Sequence, residues 1–173
     1  GCSTGEEVYS LGILLKENNL LNNTRQYATD INHVVVEKAK EGIYSLQRMK
    51  EYTRNYIRAG GTADFSDYYT AHYNQALMNK ELKKNCVFSV HNLVNDKSFN
   101  EFNLIVCRNV LIYFNLKLQE KVMNLFDESL AMFGYIALGS KESLLISKLK
   151  SKYEVVDERE KIYKKINKAQ YLI

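Results

Sequence analysis

At 173 residues, with 46% apolar and 25% charged side chains, the chain has the length and composition of one globular domain able to bury a sizeable core. With 24 Lys and Arg against 20 Asp and Glu, its net charge of +4 does not imply a nucleic acid or a membrane surface as partner. Cys2, Cys86 and Cys107 lack any C-x-x-C spacing, which speaks against a zinc or dithiol site and for reduced thiols in a cytoplasmic protein. No apolar run has the length of a membrane span, and no signal peptide is visible.

The chain opens on a glycine loop, Gly1-Cys-Ser-Thr-Gly5, followed by Glu6, Glu7 and apolar residues at Val8, Leu11, Leu14 and Leu15. The spacing predicts a helix capped by a hydroxyl, favoured by the two glutamates at its positive end, and stopped near Asn18-Asn19. Residues 26–31 read as a short strand. Asn32 then caps a helix that runs through Val36 and Ala39 and ends at Gly42.

From Tyr52 to Lys84 the pattern weakens, with a Gly60-Gly61 turn and Phe65, Tyr68, Tyr69, Tyr73 and Leu77 set among polar residues. An inserted subdomain over 52–85, a small antiparallel β unit, is expected there. Val87 to Val90 reads as a strand, and Leu104 to Cys107 as a central strand buried on both faces. Leu118, Val122, Leu125, Phe126 and Leu130 recur at helical spacing, and Gly134 to Gly139 bounds another strand. Residues 153–156 and 161–166 are strand-like and close enough for an antiparallel edge hairpin. Strands alternating with helices indicate an α/β fold with a mostly parallel sheet.

In such sheets ligands bind at the carboxyl ends of the strands. The opening loop is neither a P-loop nor G-x-G-x-x-G, and it carries carboxylates where a phosphate would want bare amides. Glu6 and Glu7 suit a cationic ligand, or else only the helix N-terminus. Asp30, at the end of the second predicted element, can take both hydroxyls of a ribose, or share a helix cap with Asn32. A glycine loop and a ribose carboxylate without a phosphate cradle point to a nucleoside lacking phosphates. S-adenosylmethionine fits, with a ribose, an adenine and a sulfonium that Glu7 can complement.

Asn92, in His91-Asn92-Leu93, offers an amide to an adenine edge or serves as a turn asparagine. Arg108 follows the most apolar strand and calls for a carboxylate partner there, an internal ion pair being the plainer reading. His33, His72 and His91 lie far apart in sequence, against a metal site or a hydrolytic triad, and Cys107 reads as a packed core thiol.

With these residues in place the chain resembles the CheR family of chemotaxis-receptor methyltransferases along essentially its whole length. The resemblance rests on Gly1 to Glu7 with Tyr9-Ser10, Ala28 to Asn32, Gly42-Ile43-Tyr44, His91 to Leu93, Cys107 to Phe114 and Leu138 to Ser143. It implies a Rossmann-like methyltransferase sheet and methyl transfer from S-adenosylmethionine to glutamates of a chemoreceptor's cytoplasmic domain, leaving S-adenosylhomocysteine. Neither nucleic acid nor membrane insertion is implied. Carried over residue by residue, it puts Thr4, Glu7 and Asp30 on the cofactor, Asn92 and Leu93 along the adenine, and Arg108 and Asn109 beside them. Arg108 and Tyr113 fall nearest the transferred methyl.

The family has a helical domain and a first strand ahead of the glycine loop, so residues 1–173 are expected to be an N-terminally truncated catalytic domain. Val8 stands where the family often has proline. Two alternatives share these residues: a non-catalytic S-adenosylmethionine-binding signalling module, and a methyltransferase acting on a small molecule. The modest charge speaks against RNA.

Overall fold

The computed structural model describes residues 1–144 and 148–167. Cys2–His91 forms one compact unit; the chain from Asn92 onward, together with Gly1, forms the other. The mixed α/β architecture has parallel and antiparallel strands, as expected.

In the first unit, α1 (Glu6–Glu17) is followed by β1 (Gln26–Asp30) and α2 (His33–Glu41). The Asn32 side chain accepts the Val34 N–H and starts α2, and Gly42 ends it at φ 70°. That left-handed cap is open to glycine at little cost. Next come β2 (Ile43–Ser45), α3 (Leu46–Arg58), β3 (Tyr69–His72), β4 (Gln75–Met78) and β5 (Cys86–Val90). Strand β5 pairs in parallel with β1, Asp30 opposite Val90. A separate antiparallel sheet has the order β2-β4-β3.

The small antiparallel sheet therefore draws its first strand from Ile43–Ser45, ahead of the stretch in which β structure was expected, and Tyr52–Arg58 is helical. On α3 the inward positions are Met49, which is buried, and Leu46, Tyr52 and Tyr56, which pack against the core. Tyrosines thus continue a helical stripe that only two aliphatic residues begin.

Eight of the chain's thirteen tyrosines fall within Cys2–His91, and they shape this unit's core. Tyr9 meets Tyr44 edge-on with ring centres 6.0 Å apart, and Tyr44 meets Tyr52 likewise at 5.9 Å. A buried tyrosine needs a partner for its hydroxyl. Tyr9 donates to the Ala39 carbonyl at 3.0 Å, Tyr44 to the Thr4 carbonyl at 2.7 Å, and Tyr56 and Tyr68 both to the Glu17 carboxylate.

In the second unit, β6 (Phe102–Cys107), α4 (Leu116–Ser129), β7 (Leu130–Leu138), β8 (Tyr153–Asp157) and β9 (Ile162–Lys165) form a sheet of order β6-β7-β9-β8. Strands β6 and β7 are parallel, and β9 and β8 add the antiparallel hairpin. Val122, Met123 and Phe126 of α4 pack with Cys107, Ile136 and Leu138 of the sheet. Two-sided burial of Leu104 to Cys107 is not found. Cys107 lies in the core and Ile105 packs on it, whereas Leu104, pointing the other way, is 44% exposed. Strand β6 ends its sheet, and α4 covers the Cys107 side.

At the end of α4 the buried Asp127 takes Lys152 at 2.6 Å, Lys165 at 3.4 Å and the Tyr153 hydroxyl at 3.0 Å. Burial by itself would raise its pKa, but the hydrogen bonds from Lys152 and Tyr153 and the two lysine charges outweigh it, and the net shift is downward. A carboxylate with a lowered folded pKa stabilises above its unfolded value of about 3.9 and loses that contribution as pH falls through the folded value. Asp127→Asn should therefore cost on the order of 2–3 kcal/mol at pH 7. In thermal melts the gap between wild type and variant should stay level from about pH 7 to pH 5 and close below about pH 4; a gap that persists at the lowest pH would contradict the assignment.

Candidate functional site

Residues 2–5 of the opening loop and Asp30 meet at the carboxyl end of β1, within the first unit. The Cys2 N–H donates to the Thr29 carbonyl at 2.7 Å, which lays the loop along the strand. The Ser3 N–H donates to Asp30 Oδ2 at 2.9 Å and the Asn32 N–H to Asp30 Oδ1 at 3.1 Å. Each carboxylate oxygen thus has one backbone donor and keeps a second lone-pair position, enough for two further hydroxyl donors. Asp30 is partly exposed, so those positions are accessible. Two acceptor positions are what the two hydroxyls of a ribose diol require.

The loop turns at Ser3, φ 48°, and at Gly5, φ 93°. Gly5 is the N-cap of α1 and no side chain caps it, so the expected hydroxyl cap is absent. A left-handed N-cap aims the chain away from the geometry in which Thr4 would reach the helix amides. Thr4 Oγ1 donates instead to Glu6 Oε2 at 2.6 Å. Glu6 also takes Arg48 at 3.1 Å and the Tyr52 hydroxyl at 3.2 Å from α3. Of the two glutamates, Glu6 is committed to fastening loop and helix together; Glu7, partly exposed in the first turn of α1, makes none of these bonds.

Burial pushes the Cys2 thiol up and raises the Cys86 thiol to about 11. Both are protonated at neutral pH, the form least able to act as a nucleophile.

The other predicted residues belong to the second unit. Asn92 Oδ1 accepts the Val94 N–H at 2.9 Å and the Asn95 N–H at 3.2 Å, so it is a turn asparagine. Its side-chain nitrogen makes no bond to the described residues and still presents a donor suited to a base edge. Leu93 is partly buried against the core.

Arg108 and Asn109 are exposed immediately after β6, and Tyr113 is 81% exposed on the following turn. The desolvation cost anticipated for Arg108 therefore does not arise. Asn109 is left-handed at φ 59°, a region in which asparagine is among the better-tolerated residues.

Sequence reasoning missed Glu142. Its carboxylate, 5% exposed, accepts the N–H groups of Asn109, Val110, Leu111 and Gly139 at 2.6–3.1 Å. The available signal was a charged residue set between two buried leucines, Leu138-Gly-Ser-Lys-Glu-Ser-Leu144. Among the described residues no group of three or more His, Cys, Asp and Glu side chains is placed to hold a metal, and no helix is long and apolar enough to cross a membrane.

Residues 1–162 match the model of the CheR methyltransferase SAM-binding domain. A Pseudomonas putida protein named "Putative methyltransferase Cher3" is 50% identical over 165 residues, covering 95% of this chain and 60% of that protein. Proteins named chemotaxis protein methyltransferase from Borreliella burgdorferi and Salmonella typhimurium are 33% and 32% identical over 83% and 82% of the chain. The chain spans 50% and 49% of their length.

The loop geometry carries a stability prediction. A Cβ on Gly5 would meet the Ala39 Cβ at 2.9 Å and the Tyr44 hydroxyl at 3.1 Å, in a backbone region unfavourable to any L side chain. Gly5→Ala should lower unfolding stability by at least about 1–2 kcal/mol, read as a lower urea midpoint. An unchanged midpoint would show that the loop is not held as described.

Proposed function

Because the chain belongs to the CheR methyltransferase family through its S-adenosylmethionine-binding domain, we propose that it transfers the cofactor's methyl group to glutamate side chains of a chemoreceptor's cytoplasmic domain. The single observation that carries this reading is Asp30, a carboxylate oriented by two backbone N–H groups with two acceptor positions left over. The relatives named chemotaxis protein methyltransferases support a substrate that belongs to chemotaxis.

Bound S-adenosylmethionine supplies an electrophilic methyl on sulfonium, and transfer to a carboxylate gives a methyl ester and S-adenosylhomocysteine. A glutamate with a pKa of about 4.3 is ionised at neutral pH, so no group of the protein has to remove a proton. What remains for the chain is alignment and removal of water from the attacking oxygen.

Asp30 takes the ribose hydroxyls, and Glu7 and Thr4 stand on the cofactor's amino-acid side. Asn92 and Leu93 take the adenine, with Asn109 beside them. Arg108 orients the incoming carboxylate through its fork of N–H donors, with Tyr113 as a second donor. Arg108 must hold that carboxylate loosely enough to leave one oxygen nucleophilic, and its solvent-exposed position suits a moderate interaction.

Incubating the full-length protein with tritiated S-adenosylmethionine and receptor membranes should give label on the receptor that alkali releases as methanol. Cofactor binding without transfer would refute the activity. Arg108→Ala should lower turnover about 100-fold while changing S-adenosylhomocysteine affinity less than threefold; an equal loss of both would remove its assigned role. Asp30→Asn should weaken S-adenosylhomocysteine binding roughly 10–100-fold by calorimetry, and unchanged affinity would take the ribose off Asp30.

A further inference from the structure

We infer that Glu142 is a positioning residue: by gathering the backbone N–H groups of Asn109, Val110 and Leu111 it sets where Arg108 and Asn109 stand. The inference rests on the roles proposed for those two residues.

A buried carboxylate is costly unless its lone pairs are filled. Asp127, in the same unit, is filled by two lysines and a tyrosine. Among the described residues Glu142 has no cation within ion-pair distance, and four peptide N–H groups do that work. The Val110 and Leu111 groups reach Oε1 at 2.8 and 2.7 Å. The Asn109 and Gly139 groups reach Oε2 at 3.1 and 2.6 Å. Charge-assisted bonds of this kind are stronger than neutral ones, and consecutive peptide N–H groups form a natural anion concavity.

Three of the four donors are consecutive residues of one loop, and that loop begins at Arg108. Its first member, Asn109, holds a left-handed φ of 59°, a conformation asparagine tolerates but does not hold on its own. The Glu142 bond to the Asn109 N–H supplies the restraint. Gly139 is part of the same lock, because a Cβ there would lie 2.7 Å from Glu142 Oε2 and 2.8 Å from the Asn109 nitrogen. Only glycine lets the turn after β7 close on the loop after β6. At the loop's far end Gln119 of α4 donates to the Leu111 and Phe114 carbonyls at 3.0 and 2.9 Å. The turn bearing Tyr113 is therefore held on both sides.

A neutral amide cannot replace Glu142. Glutamine offers one acceptor oxygen, and in either orientation its NH2 group faces two N–H donors. Glu142→Gln should release the loop while leaving side-chain volume unchanged.

The experiment compares full-length wild type, Glu142→Gln and Asp127→Asn at a temperature where each is folded by circular dichroism. The expected result for Glu142→Gln is at least a tenfold weaker S-adenosylhomocysteine affinity and at least a tenfold lower methyl-transfer rate at saturating cofactor. Asp127→Asn, a loss of stability elsewhere in the unit, should stay within twofold of wild type on both. Equal behaviour of the two variants, or Glu142→Gln within twofold of wild type, would overturn the inference. If Glu142→Gln does not fold, hydrogen exchange of the wild type decides: the amides of residues 109–111 and 139 should be protected together, and fast exchange at any of them would overturn it. Should wild type bind cofactor without methylating receptors, the proposed reaction fails, while the affinity and exchange measurements still judge Glu142.

Discussion

A peptide N–H pointed at a carboxylate is the interaction on which both candidate neighbourhoods depend. Asp30 accepts two such groups and Glu142 four, from Ser3 in the glycine loop and from residues that follow the carboxyl ends of β1, β6 and β7. Loops of this kind have no ladder partners of their own, so something else must fix them. A fixed negative charge does this well, because charge-assisted bonds outweigh the entropy of a few residues. The two carboxylates differ in burial. Glu142 is enclosed and fully occupied by its donors, a scaffold and nothing more. Asp30 is partly exposed with acceptor positions to spare, which suits it to the ligand role proposed for it.

The same economy appears around Glu6, which ties Thr4, Arg48 and Tyr52 to the start of α1, and around Glu17, which receives two tyrosine hydroxyls at its other end. Helix α1 is thus held at both ends by side chains from α3 and the residue 65–68 turn. This gives the aromatic antiparallel region a direct mechanical link to the glycine loop. The tyrosine-rich core follows from that arrangement, since each ring contributes apolar area to the interior and a hydroxyl to a backbone carbonyl or a carboxylate.

Much of this was legible in the sequence where one residue type has one physical use. Asn32 and Gly42 bracket α2 because the side-chain acceptor and the left-handed cap have few substitutes, and the β8–β9 hairpin follows from two short β-rich runs close together. Helix α3 was not legible, because its inward stripe is Leu46, Met49, Tyr52 and Tyr56, and tyrosine spacing reads equally as surface. Strand β2 has only three residues, too few for any period. The exposed face of Leu104 could not be foreseen, since an apolar run does not say what covers it. The residues of the candidate site were legible as types. Which glutamate was structural was not, because Arg48 and Tyr52 reach Glu6 from more than 40 positions away. The role of Glu142 was not legible for a related reason: its partners are backbone groups, which carry no residue signature.

The proposed function depends on Asp30 being set in advance by its own backbone to receive a ribose. A crystal structure of the protein with S-adenosylhomocysteine tests this most directly. Both ribose hydroxyls are expected on Asp30, with the Ser3 and Asn32 N–H groups still bonded to the same carboxylate. Ribose hydroxyls bound elsewhere, or an Asp30 that has given up those two backbone partners, would contradict it.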